Sequence, residues 1–191
     1  MRMRVRRLVC LLLMLMVFLS SGFSASALEI LPELYCQAAF VIHPDTGLIL
    51  YAKNPDLQLP CSSLVKIMTA ILALEHFPDL SQTLEVSAAA LENLSGVATA
   101  GLKEGEVLTV EQLLYCLLLP SAADAANTLA EGVSGDIASF VELMNQKAES
   151  LSLKNTHFVN TYGRDDDMQY TTASDMLRIA KYAYAQQTIA A

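Results

Sequence analysis

Pro60-Cys61-Ser62-Ser63-Leu64-Val65-Lys66-Ile67-Met68-Thr69-Ala70 sets a serine and a lysine three residues apart at the head of a run whose apolar positions, Leu64, Ile67, Met68, Ile71, Leu72 and Leu74, recur at helical spacing until Pro78. Residues three apart on a helix lie on one face with Cβ atoms roughly 5–6 Å apart, so the Ser63 hydroxyl and the Lys66 amine can come within hydrogen-bond reach. A serine hydroxyl is a weak nucleophile until a neighbour takes its proton, and a lysine takes it only when burial or a nearby cation lowers its pKa. The apolar flank Leu64, Val65, Ile67 and Met68 can supply that burial. The first turn of a helix also presents free N–H groups and partial positive charge, which suit an anionic intermediate near Ser63. The same residues fit a plain helix start as well, with Ser62 or Ser63 as cap, Lys66 in solvent, and Leu64, Ile67, Met68 and Ile71 in the core.

Outward from this stretch, the chain begins Met1-Arg2-Met3-Arg4-Val5-Arg6-Arg7 and continues as an uninterrupted apolar run from Leu8 to Leu19, broken by Ser20-Ser21-Gly22. The run is shorter than the roughly 17–25 residues of a membrane span, and Ala25-Ser26-Ala27 offers a small-x-small cleavage site. These features predict an export signal over residues 1–27, with an uncleaved anchor as the alternative, and place the protein outside the cytoplasm. Residues 28–191 suffice for one domain but hardly for two. Without the four arginines of the signal, eight basic residues face twenty acidic ones. So acidic a chain is a poor nucleic-acid ligand, and it has no basic amphipathic segment to hold it on anionic lipid. Cys36, Cys61 and Cys116 are odd in number and widely spaced, unlike a disulfide framework or a C-x-x-C metal site; they read as buried small hydrophobes, with a Cys36 to Cys61 bridge as the alternative in an oxidising compartment. His43, His76 and His157 show no metal-type spacing.

Ala38–Ile42 and Leu48–Ala52 flank the Pro/Asp/Gly turn His43–Gly47, which predicts a hairpin. A short strand is expected at Leu84-Glu85-Val86, within a small-residue-rich stretch from Ser81 to Gly101. Gly105–Thr109 leads into a helix over Val110–Leu119 with Thr109 as N-cap and Glu111, Gln112 serving its first turn; Pro120 stops it. Further helices are predicted from Ser121 to Leu129, from Ile137 to Leu151 with Phe140, Val141, Met144 and Ala148 on one face, and from Thr172 to Tyr184. Asp165-Asp166-Asp167 reads as a solvated loop with too few oxygen ligands for calcium.

Several separated stretches resemble the penicillin-binding D-alanyl-D-alanine carboxypeptidases, secreted serine peptidases that trim peptidoglycan stem peptides. Thr46–Asn54 resembles the hairpin of that family and Pro60–Ala70 its P-x-S-x-x-K-I/L-M-T segment. Gly105-Glu106 with Leu113-Leu114, Ser121 with Asp124-Ala125-Ala126, Phe140-Val141 with Met144-Asn145, and Thr156–Asn160 follow in the same order, so the likeness covers about Ala38 to Tyr184. The resemblance implies an α/β (α+β) chain of the β-lactamase/transpeptidase-like fold, with an antiparallel sheet and a helical subdomain. It implies Ser63, Lys66 and Ser121 as catalytic residues, no metal or organic cofactor, and as partners a stem peptide ending in D-Ala-D-Ala and β-lactams that acylate Ser63.

Two departures stand out. Where the S-x-N motif of the family has asparagine, the chain has Ser121-Ala122-Ala123, and Asn127 lies a further helical turn along. No K-T-G occurs, and the resemblance places its strand and others beyond Ala191, so the chain is expected to be the N-terminal part of such a domain with C-terminal strands missing. Losing an amide from a catalytic network costs on the order of 3–4 kcal/mol in transition-state stabilisation. The leading expectation is therefore a serine-type D-Ala-D-Ala carboxypeptidase with impaired turnover. A catalytically silent module that binds stem peptides or β-lactams is the second. A β-lactamase, with Glu142 assisting deacylation, is the third.

Overall fold

The computed structural model describes residues 34–186, and the export signal read at residues 1–27 lies outside them. From Cys36 onward the chain forms one unit, which opens with the expected hairpin. Strand β1 (Ala39–Ile42) pairs antiparallel with β2 (Ile49–Lys53), Phe40 opposite Ala52 and Val41 opposite Tyr51. The His43 N–H to Leu48 carbonyl bond of 2.8 Å closes the turn, and Gly47 takes φ +70°, a conformation that costs glycine little.

The Ser63 to Lys66 stretch does not begin an α-helix directly. Ser62–Leu64 form one 3-10 turn, and helix α1 then runs over Val65–His76. Neither serine caps it through a side chain, and Lys66 is 5% exposed, so the plain helix start with Lys66 in solvent does not form. Helix α1 is buried on most of its circumference, as an apolar sequence without a polar face requires. Its Ala70 and Ala73 join a cluster with helix α2 (Val110–Leu118) and helix α3 (Ala123–Ser134), through Val110, Leu113, Leu117, Ala126 and Leu129. Its Val65, Met68 and Ile71 join a second cluster with helix α4 (Ile137–Ser150) and helix α5 (Ala173–Ala185), through Phe140, Met144, Ile179 and Ala183. Ala122, Ala123, Ala125 and Ala126 are fully buried, and their small side chains let the start of α3 lie close to its neighbours.

The helix ends follow from local chemistry. Thr109 and Gln112 form a capping box at α2, Asp136 accepts from the Ser139 N–H at α4, and Thr172 accepts from the Asp175 N–H at α5. Helix α3 starts two residues later than its sequence suggested, because Ser121 adopts a left-handed φ of +61°. Strand β3 (Thr83–Glu85) pairs antiparallel with β4 (Val107–Thr109), a segment that reads in sequence only as a lead into α2. Cys36, Cys61 and Cys116 are all free. Only Cys61 is a buried hydrophobe; Cys36 is exposed and Cys116 partly so, and the Cys36 to Cys61 bridge does not form because one thiol lies at the surface and the other in the core under α1. Burial pushes the Cys61 thiol up to about 11, which keeps it protonated. Asp165, Asp166 and Asp167 are exposed, as read. Among the described residues no helix is long and apolar enough to cross a membrane, and no cluster of three or more acidic, histidine or cysteine side chains could hold a metal ion.

The loop between β3 and β4 is fastened to α3 by Asp124, which is 1% exposed. One of its oxygens accepts the Ala100 N–H at 2.9 Å and the other accepts the Leu102 N–H at 3.0 Å. Asp124→Asn turns one acceptor into a donor facing an N–H, so it should cost about 1–3 kcal/mol of stability. The cost is read from urea unfolding, with faster proteolysis between residues 92 and 102; an unchanged midpoint would mean that the loop is held elsewhere.

Candidate active site

The fold brings Ser63, Lys66 and Ser121 together. The Lys66 Nζ donates to the Ser63 Oγ at 3.3 Å, and the Ser121 hydroxyl donates to the same oxygen at 3.1 Å, across 58 residues of sequence. These side chains open into a cleft of about 400 Å³ walled by Leu64, Ile67, Leu117 and Leu118. Ser63 is exposed to that cleft while Lys66 is buried behind it. Burial holds the Lys66 amine below the ordinary lysine value of 10.5, because a desolvated ammonium is disfavoured.

Two left-handed serines stand at this place. Ser62, which precedes the hydroxyl-bearing Ser63, has φ +42°, and Ser121 has φ +61°. Such left-handed serines cost of order 1 kcal/mol each and persist where the surroundings fix them. Here the fixing element is a strap, residues 160–164, that crosses the N-terminal end of α1. The Asn160 side-chain oxygen accepts the Gly163 N–H at 2.7 Å and the Arg164 N–H at 3.1 Å, which curls the strap. The Thr161 carbonyl accepts the Thr69 hydroxyl at 2.6 Å, and the Tyr162 carbonyl accepts the Lys66 Nζ at 2.5 Å. Arg164 clamps the far side by donating through Nη2 to the Asn93 and Ser95 carbonyls.

Gly163 lies so close to the serines that a methyl group on it would fall 1.8 Å from the Ser62 carbonyl oxygen and 2.9 Å from the Ser63 nitrogen. Its φ of +92° adds a second reason for glycine. The sequence reading found the three side chains but not the strap, since a backbone carbonyl that accepts a lysine proton leaves no residue-type signature. The one sequence signal at the strap is Gly163, three residues after Asn160. Ala123, where an amide was looked for, is fully buried in the apolar cluster with Ala70, Ala126 and Tyr162. Asn127 is buried too and does not reach Lys66; it bonds the Thr161 hydroxyl and the Ala90 carbonyl.

Solved structures similar to this one are named as carboxypeptidases and transpeptidases. The D-alanyl-D-alanine carboxypeptidase DacD of Francisella tularensis is 33% identical with a TM-score of 0.76, over 81% of this chain and 38% of that one. The Streptomyces DD-transpeptidase is 32% identical with a TM-score of 0.77, over 82% of this chain and 63% of that one. The family model described as D-alanyl-D-alanine carboxypeptidase, peptidase S11, matches residues 23–190, and the chain belongs to that family. Among curated relatives, the carboxypeptidase DacF of Bacillus subtilis is 34% identical over 93% of this chain and 46% of its own length. A D-alanyl-D-alanine endopeptidase of Pseudomonas aeruginosa is 33% identical over 94% of this chain and 58% of its own length. The chain thus spans about half the length of the curated relatives it matches.

Gly163→Ala forces either the strap or the Ser62–Ser63 backbone to move. It should destabilise the protein by about 2–4 kcal/mol, as overpacking plus a strained φ requires. Denaturant unfolding measures this, and a change below about 1 kcal/mol would show that the strap is not pressed against the serine.

Proposed function

We propose that the chain carries the acylating half of a serine-type D-Ala-D-Ala carboxypeptidase acting on peptidoglycan stem peptides. The observation that carries this reading is the convergence of the Lys66 amine and the Ser121 hydroxyl on one exposed serine oxygen. Neutral Lys66 takes the Ser63 proton as Oγ attacks the carbonyl between the two terminal D-alanines. The tetrahedral intermediate collapses with cleavage of the C–N bond, and Ser121 passes a proton to the departing D-alanine amine. Water then attacks the ester on Ser63 and releases the shortened peptide. A β-lactam offers Ser63 a strained amide whose leaving group stays attached, so the same first step traps the acyl-enzyme. Side chains alone supply every proton transfer in this scheme.

Lys66 must be neutral to accept a proton. Acylation therefore rises with pH through the Lys66 ionisation, and burial places that ionisation below 10.5. A fluorescent penicillin should attach to the wild-type chain, faster at higher pH, and should fail to attach to Ser63→Ala. Attachment that survives Ser63→Ala, or that maps to Ser62, rejects the assignment. Ala123 favours a second reading, a silent module that binds stem peptides or β-lactams, because no side-chain amide stands at that position to hold the scissile carbonyl. In the same assay, penicillin attachment without D-alanine release from a pentapeptide supports that module over the enzyme.

The basic start and the Leu8–Leu19 run further support export of the protein to the cell envelope. The mature protein should begin at Leu28, which mass spectrometry of the exported product reads directly. An intact Met1 on that product would overturn the cleavage site.

A further inference from the structure

We propose that Asn127 is a positioning residue for Lys66: by accepting the Thr161 hydroxyl it holds the Tyr162 carbonyl over the lysine amine. The inference rests on the reading of Lys66 as the base at Ser63, and it assigns the control of that base to a residue which never touches it.

Asn127 is 2% exposed on α3, within the buried stretch 123–130 that also holds Asp124 and Thr128. Burying a side-chain amide is unfavourable unless both of its ends are bonded. Both are: Nδ2 donates to the Ala90 carbonyl at 3.0 Å, and Oδ1 accepts the Thr161 hydroxyl at 2.6 Å. Among the described residues this second bond is the one hydrogen bond that joins α3 to the strap. Thr161 is itself completely buried. Its hydroxyl has no solvent to turn to, so the direction of that bond fixes how the Thr161 residue sits.

The consequence passes along the backbone. The Thr161 and Tyr162 carbonyls both point at α1, where they accept from Thr69 and from Lys66, three residues apart on that helix. Rotation of the strap about Thr161 would carry the Tyr162 carbonyl off the amine. Lys66 has a long flexible stem, and its two hydrogen-bond contacts are the Tyr162 carbonyl at 2.5 Å and the Ser63 oxygen at 3.3 Å. Ala123 provides no polar group to replace either. The shorter contact therefore determines where the amine waits, and Asn127 determines where that contact is. An amide one helical turn beyond position 123 thus acts on the lysine through the strap.

Lys66 forms no ion pair among the described residues. The charged groups on the elements packed against α1 are Glu111 on α2, Asp124 and Glu131 on α3, Glu142, Lys147 and Glu149 on α4, Asp175, Arg178 and Lys181 on α5, and Arg164 and Asp165 on or beside the strap. The Asp124 oxygens are taken by the Ala100 and Leu102 N–H groups. On α1 itself Glu75 is paired with Lys147. None of these is altered in the variants below, so a change in Lys66 reports the carbonyl.

The test is the titration of the Lys66 side chain, followed by nitrogen-15 NMR of the amine in the full chain. A carbonyl that accepts from the ammonium favours the charged form, so its loss lowers the midpoint. Asn127→Leu and Thr161→Val should each move the midpoint down by about one pH unit and, at a pH above both midpoints where the amine is neutral in every form, slow penicillin attachment about tenfold. The double variant should show no more than either single one. Thr161→Ser keeps the hydroxyl and should titrate as wild type. The proposal is overturned if the folded Asn127→Leu chain leaves the Lys66 midpoint in place, or if Thr161→Ser behaves like Thr161→Val. Should Asn127→Leu fail to fold, the Thr161 pair decides the matter alone. Should penicillin attach to no form of the chain, the acyl-transfer reading fails, while the titration still accepts or rejects the role of Asn127.

Discussion

A lysine amine behind an apolar helix face has to be given an acceptor, and the bond from Lys66 to the Tyr162 carbonyl is the one on which the rest of this arrangement depends. Helix α1 is buried between two apolar clusters, and Lys66 is buried with it behind Ser63. The acceptor comes from 96 residues further along, carried by a strap that must cross closely over the start of α1. That crossing demands glycine at 163, and the same crowding presses on the Ser62–Ser63 backbone. The 3-10 turn and the left-handed φ of Ser62 stand at this point of contact, where an undistorted first helical turn would otherwise be.

The same burial sets a stability cost with a defined sign. A lysine whose folded pKa is lowered binds its proton less tightly in the native protein than in the unfolded chain. Its contribution is therefore unfavourable below the folded pKa, where both states are protonated. That cost fades as pH rises through the folded pKa toward the unfolded value of 10.5, and it is gone above. A purely structural helix would place a leucine or methionine there. The packing of α1 offsets the cost through residues such as Val65, Met68, Ala70 and Ile71, which are completely buried.

Sequence patterns revealed the parts of the molecule that obey short-range rules. The hairpin was legible from its turn residues, α2 from Thr109 and Gln112, and the Ser63 to Lys66 pair from helical spacing. Ser121 could be placed in the site only through family resemblance, because nothing local ties it to a serine 58 residues away. The strap stayed hidden for a related reason: it works through carbonyl groups, which every residue has. Asn127 was passed over on the correct ground that it lies too far along the helix to touch Lys66. What spacing could not disclose was an intermediary, Thr161, supplied by a different segment. The cysteines failed in another way, since their spacing says nothing of depth: Cys61 is in the core and Cys36 at the surface.

The relatives that match this chain carry different reaction names, carboxypeptidase, endopeptidase and transpeptidase, over one common frame. In an acyl-transfer scheme those names differ in which peptide is bound and in what finally accepts the acyl group, water or an amine. In the scheme proposed for this chain the first step is attack by a serine made nucleophilic by a base. In the mechanism proposed above, Ser63, Lys66, Ser121 and the strap govern where a proton goes, while Leu64, Ile67, Leu117 and Leu118 form an apolar part of the cleft wall. On that proposal, activation of the serine draws on a helix, a strap and one left-handed serine, whereas the apolar side chains of the wall bring no polar group to the choice of substrate.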